Sequence, residues 1–241
     1  IRLPTATVLP HGAYEVGIIG NMYEDVIDKP GASLLDKNAH VYAGLYDRAE
    51  IGLIFGSFAA NISGAANAKL NFLHRAPRRS RGVTGLDLAI GVQNIGPSNT
   101  NGYNGKPDID YGGYELETPN SPYVMYSERY SFARQLHLAW HLGFGLGAFR
   151  ATTGPFKSLS GALAAAQLTV GPLQFIIEED GRHLNGGGWI QMSNGLTFHL
   201  GINGIEVAKN DPVEGIQRSI NFGFSYTNLF SIRKMKMQEM V

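Results

Sequence analysis

From Gln135 to Phe149 the chain alternates with a period of two. Leu136, Leu138, Trp140, Leu142, Phe144 and Leu146 share one parity, while Gln135, His137, Ala139, His141, Gly143, Gly145 and Gly147 share the other. Successive side chains of a β-strand point to opposite faces, so this segment has one large apolar face and one that is polar or bare. The same pattern sets Leu86, Leu88, Ile90 and Val92 against Gly85, Asp87, Ala89, Gly91 and Gln93. It sets Leu196, Phe198, Leu200 and Ile202 against Thr197, His199, Gly201 and Asn203, and Ile220, Phe222, Phe224 and Tyr226 against Ser219, Asn221, Gly223, Ser225 and Thr227.

Soluble sandwiches and barrels also alternate, and a soluble β-protein is the rival class. Three features favour a membrane barrel. Several segments reach the roughly 9–11 residues that cross a bilayer at a tilt, beyond the 5–6 usual in soluble strands. The non-apolar face is rich in Gly, Gln, Asn and His, as a crowded lumen requires. Tyr23, Tyr46, Tyr130, Phe149 and Phe230 fall near expected strand ends, where barrels carry aromatic girdles.

The expected fold is therefore all-β: a single antiparallel up-and-down transmembrane β-barrel of about twelve strands, with both termini periplasmic. The strands are expected near 13–23, 39–46, 49–59, 66–76, 82–94, 121–129, 134–149, 161–170, 172–180, 186–193, 195–207 and 217–230. Three tight links, Asp47-Arg48, Gly171-Pro172 and Ser193-Asn194-Gly195, follow even-numbered strands. The longer links 24–38, 95–120 and 208–216 follow odd-numbered ones, which is the outer-membrane plan of short periplasmic turns and long outer loops. The links at 77–81 and 130–133 fit that division less well. The single domain spans 1–241, with 1–12 a periplasmic lead-in, 95–120 a long extracellular loop and 231–241 a periplasmic tail. Ile1 in place of Met fits a processed, exported form.

Parity then sorts the side chains. His40, Tyr42, Asp87, Gln93, Gln135, His137, His141, Thr197, His199, Asn203 and Asn221 are expected in the lumen. Leu86, Leu88, Leu136, Leu138, Trp140, Leu142, Phe144, Phe198, Leu200, Phe222 and Phe224 are expected to face lipid.

Composition agrees. The 31 glycines disfavour helices, and only 17% of residues are charged. Lys+Arg and Asp+Glu number 20 each, so nothing points to nucleic acid. The absence of cysteine excludes disulfides and thiolate metal sites. No stretch approaches a transmembrane helix.

Pro4-Thr5-Ala6-Thr7-Val8-Leu9-Pro10-His11-Gly12 is similar to the opening of YjbH-type barrels, the exopolysaccharide-associated outer-membrane family. Glu178-Glu179-Asp180-Gly181-Arg182 with Asn185-Gly186 and Trp189 to Gly201 resembles a hairpin repeated in that family, and Tyr46 to Gly52 resembles its short turns. The resemblance covers about a quarter of the chain. It implies outer-membrane residence and a role near polysaccharide secretion, with envelope proteins or polysaccharide as partners, and it brings no catalytic residues.

Candidate chemistry is sparse. His137 and His141 share a face but lie roughly 13 Å apart on a strand, too far for one ion, so lumen hydrogen bonding is expected instead of a metal. Glu178, Glu179 and Asp180 suit a solvated loop edge better than a cation site, and so do Asp108, Asp110, Glu115 and Glu117. Arg75, Arg78, Arg79 and Arg81 fit a solvated basic turn or a lipid-headgroup contact. Gly186-Gly187-Gly188 lacks the Lys-Ser/Thr of a phosphate loop and fits close strand approach. No nucleophile elbow is present.

The expected function is a structural, anchoring or assembly barrel of an envelope complex, without enzymatic activity or cofactor. A passive channel for small polar solutes is the alternative, and an outer-membrane hydrolase is the third reading.

Overall fold

The computed structural model describes residues 4–23, 35–58, 61–75, 83–95, 120–149, 160–181, 183–205 and 219–228. Twelve antiparallel strands close into one barrel: β1 Tyr14–Tyr23, β2 Leu35–Leu45, β3 Ala49–Phe58, β4 Asn61–Arg75, β5 Val83–Ile95, β6 Ser121–Ala133, β7 Leu136–Gly145, β8 Ala162–Val170, β9 Leu173–Glu179, β10 Leu184–Gln191, β11 Leu196–Asn203 and β12 Ser219–Thr227. Each strand pairs with its chain neighbours. The seam is sealed by β1 on β12, in register from Glu15↔Thr227 to Tyr23↔Ser219. Closure leaves no edge strand with unpaired backbone groups, the condition for crossing hydrocarbon.

All twelve expected strands are present, and their bounds move for local reasons. β2 begins at Leu35 and β4 at Asn61, four and five residues earlier than alternation suggested. β6 runs through to Ala133, so 130–133 is strand, and only Arg134 and Gln135 turn into β7. Bulges interrupt β4–β5 near Ala66–Ala68 and Asn71–Leu73, and β6–β7 near Ser131–Ala133. Each inserts a residue and blurs strict alternation. β7 stops at Gly145; Gly147 takes φ 65°, and a 3-10 turn, Gly147–Phe149, follows.

One rim carries the links 46–48, 134–135, 171–172 and 192–195, together with the start of β1 and the end of β12. The opposite rim is not uniformly long-looped: β3 and β4 pair up to Phe58↔Asn61, and β9 and β10 pair up to Glu179↔Leu184. Nearly all of the 95–120 loop, the 231–241 tail, the acidic stretch 108–117 and Arg78, Arg79 and Arg81 lie outside the described residues.

Candidate functional site

The barrel is inside-out relative to a soluble protein. Asp87, Ser127, His141, Glu178 and Asn185 are at most 2% exposed, whereas Leu142, Phe175, Phe198, Leu200 and Phe224 are 45–63% exposed. Large apolar side chains stand exposed on both the early strands (Ile18, Leu53, Phe55, Leu70) and the late ones. A water-soluble monomer rarely tolerates a contiguous apolar surface beyond a few hundred Å².

The chain before β1, residues 1–12, is expected to be a periplasmic lead-in. That expectation is corrected: from Ala13 it turns at Gly12, φ 72°, and residues 4–10 run along the inner wall of β3–β6. Ala6 is fully buried. Its N–H donates to Ser127 Oγ at 3.0 Å and its carbonyl accepts from Asn71 Nδ2 at 3.1 Å. The Leu9 N–H donates to Glu50 Oε2 at 3.0 Å, and Lys69 Nζ donates to the Thr7 carbonyl while pairing with Glu50 Oε1 at 3.0 Å. These bonds read backbone, not side chains, and the strap residues at the deepest contacts are small. At about 1 kcal/mol net for each neutral hydrogen bond and about 1.5–3 kcal/mol for each of those to Glu50 and Lys69, the strap is held by several kcal/mol, to which the burial of Ala6 adds.

Behind the strap, Asp87 forms a hub. It accepts from Asn71 Nδ2 (2.9 Å) and Arg129 Nη2 (2.8 Å), and its Oδ1 lies 2.6 Å from His74 Nδ1. Ser127 Oγ lies 2.7 Å from His141 Nδ1. Ser127 Oγ thus accepts from the Ala6 N–H and shares a second hydrogen bond with His141 Nδ1, whose direction follows the imidazole tautomer. Asn71 Oδ1 and Arg129 Nε have no hydrogen-bond partner among the described residues. Asn71 is the one that also holds the strap, through its amide nitrogen.

Two further regions complete the interior. A dry cluster of Ala6, Ala89, Tyr123, Met125, Phe149, Leu163, Ala165 and Ile176, with Trp189 packed against it, fills the β5–β10 half. Phe149 was expected in an outer girdle. This is corrected: the 3-10 turn carries it inward, edge-on to Tyr123 at 5.8 Å. The other half, on β11, β12, β1 and β2, is a polar lane. Near one rim Asn203 donates to Ser219 and accepts from Asn221. Midway, His199 Nε2 lies 3.0 Å from Ser225 Oγ. Near the short-turn rim Glu15 meets His40 Nε2 at 3.2 Å and accepts from Thr227 at 3.1 Å. A cavity of about 240 Å³ remains beside Pro4 and Thr5, walled by Tyr42, Asn67, Lys69, Gln93 and Tyr123.

Of the residues expected in the lumen, His40, Tyr42, Asp87, His141, His199, Asn203 and Asn221 make the side-chain bonds above or, for Tyr42, accept from Asn67. Gln93 lines the cavity, Thr197 is buried, and His137 is half-buried on β7. Gln135 is corrected: it is exposed in the β6–β7 turn, because β7 starts at Leu136, two residues later than expected. Of the residues expected outside, Trp140, Leu142, Phe144, Phe198, Leu200, Phe222 and Phe224 are exposed. Leu86, Leu88, Leu136 and Leu138 are half-buried, Leu86 beside Glu128 in register. Glu178 and Asp180, expected at a solvated edge, are buried and bonded by Asn185 Nδ2. Gly188 sits in β10, where a Cβ would press on the Gln174 carbonyl. Asn71, Ser127, Glu50 and Lys69, which seat the strap, were not singled out by sequence; parity alone offered a signal at Asn71, Glu50 and Lys69, which apolar residues flank, and little at Ser127, which lies between Tyr126 and Glu128.

No protein-family model matches the chain, and no curated protein matches it. Among solved structures it is similar to the NanC porin, at 9% identity over 88% of this chain and 98% of that one, with a TM-score of 0.50. It also overlaps a Rhodopseudomonas blastica porin triple mutant (8% identity, 90% and 99% covered, TM-score 0.38) and a bacterial polysaccharide outer membrane secretin (12%, 90% and 98%, 0.33). The likeness to the NanC porin is one of fold; the other two superpose too loosely to bear on it. The chain is a closed twelve-strand barrel of porin-like architecture.

Proposed function

We propose that the protein is an outer-membrane β-barrel that serves as a structural, anchoring or assembly component of the cell envelope, with the short-turn rim periplasmic. The observation that carries this reading is the inversion of polarity combined with a filled interior: lipid is the solvent that suits the exposed leucines and phenylalanines, and the strap with the dry cluster leaves little room for free passage. The barrel is non-enzymatic in this reading. Among the described residues the shorter of two serine–histidine contacts, Ser127 with His141, has the serine oxygen accepting from the strap's Ala6 N–H. Envelope proteins or polysaccharide are the proposed partners, on the resemblance carried by residues 4–12.

A passive channel for small polar solutes is the second reading, favoured by the polar lane on β11–β12–β1–β2. Planar-bilayer recording of the purified full chain separates the two. The anchoring reading expects long silent records after insertion; steady open-state current from the unmodified protein supports the channel and refutes a permanently filled barrel. Release from membranes by salt or alkali without detergent would overturn both.

A further inference from the structure

We propose that residues 4–10 are a displaceable gate, and that their withdrawal gives this barrel a latent activity, conduction of small polar solutes along the β3–β6 wall. The inference rests on the membrane-barrel reading but not on the anchoring role.

Three features separate this segment from a permanent filler. First, its hydrogen bonds to the wall run from its backbone to polar groups (Asn71, Ser127, Glu50 and Lys69), and the strap side chain that joins the dry cluster is only the methyl of Ala6. Second, the seat is imperfect. Asn71 Oδ1 and Arg129 Nε are buried without hydrogen-bond partners among the described residues, and water admitted on withdrawal would satisfy Asn71 beside the strap. Asn71, whose amide nitrogen holds the Ala6 carbonyl, thus keeps an oxygen whose own preference is for solvent. Third, the segment has a hinge. The Ala13 N–H donates to the Pro10 carbonyl in a turn around Gly12, whose φ of 72° suits glycine, and the β2–β3 turn grips the same corner through His11. The motion therefore needs only rotation about 10–13, with β1 unchanged.

The vacated wall defines what passes. Its charges come in opposed pairs, Glu50 with Lys69 and Asp87 with Arg129, beside the hydroxyls and amides of Tyr42, Tyr123, Asn67 and Gln93. Such a surface favours neutral or zwitterionic polar solutes, with little preference between small cations and anions.

The sequence contains no cysteine, so a cysteine pair is unambiguous. The full chain carrying Ala6→Cys and Ser127→Cys is recorded in planar bilayers before and after dithiothreitol. The oxidised pair is expected to stay silent and the reduced protein to open in bursts, with open time rising about tenfold or more. A second variant, Asn71→Ala with Ser127→Ala, loosens the strap without a crosslink and is expected to open about tenfold more often than the unmodified chain. Should the pair fail to fold, as judged by loss of heat-modifiable migration on gels, labelling decides. Ala6→Cys alone should react slowly with a water-soluble maleimide, and faster once Asn71→Ala is added. The gate is overturned if oxidised and reduced proteins record alike, if the loosened barrel folds yet matches the unmodified chain, or if labelling ignores Asn71→Ala. Steady current from the unmodified protein would remove the anchoring reading, while the oxidised-to-reduced comparison would still judge the gate.

Discussion

Asp87 is a carboxylate almost wholly withdrawn from water, and its three partners explain how it is tolerated there. Arg129 supplies opposite charge, and Asn71 and His74 fill the remaining oxygen valences. Asp87→Asn keeps the shape and removes the charge. Arg129 is 38% exposed on its side chain and can rehydrate, so the loss is expected near 1–3 kcal/mol, below that for a fully buried pair. A lowered urea midpoint for the barrel in detergent micelles, with an unchanged slope, checks it; no shift would mean the hub is not holding the wall. Parity had set Asp87 on the polar face with His40, Tyr42, His141 and His199, because one residue in two is all that a strand requires. Parity does not reveal partners. Ala6 meets Asn71 across 65 positions and Ser127 across 121, and no local pattern encodes a bond of that span.

At the scale of the strand, what mattered was where alternation stops. Gln135 and Phe149 bracket the clearest alternating run, and both behave differently from it: the first turns outward before β7, the second turns inward after it. Phe149 carried a warning, being a large apolar residue on the parity otherwise held by His and Gly. The interior of the run is secure, and so is the energetic consequence of its outer face. Leu200 of β11 is 63% exposed with Phe198 beyond it on the same face. Leu200→Arg is expected to destabilise the barrel in lipid vesicles by about 2–4 kcal/mol if the position lies near the bilayer centre, less toward the interface. Gly143 makes the converse case. A Cβ there would collide with Met125 Sδ and the Val124 carbonyl, so Gly143→Val should push β6 from β7 and cost about 1–3 kcal/mol. Vesicle refolding titrations read both, and a neutral Leu200→Arg would contradict hydrocarbon contact.

At the scale of the whole molecule, closure decides the physics. Twelve amphipathic strands with tight turns on one side imply neighbour-to-neighbour pairing and closure of the first strand on the last, so strand number, order and the β1–β12 seam were legible; the strap was not, since it joins distant parts of the chain through backbone bonds. Closure also gives the molecule two surfaces in two solvents, and its two tryptophans report one each. Trp140 stands exposed on the outer face of β7, while Trp189 on β10 lies inside, its ring 6.2 Å from His199 and packed against the dry cluster. Quenching by brominated acyl chains needs near contact. In vesicles of brominated phosphatidylcholine, the Trp189→Phe variant, which keeps Trp140, should lose most of its fluorescence. The Trp140→Phe variant, which keeps Trp189, should lose little. Both substitutions preserve an aromatic ring, so a barrel that refolds reports on placement and not on damage. Equal quenching of the two, or stronger quenching of Trp189, would mean that the apolar parity does not face lipid, and the inversion on which the membrane reading depends would be gone.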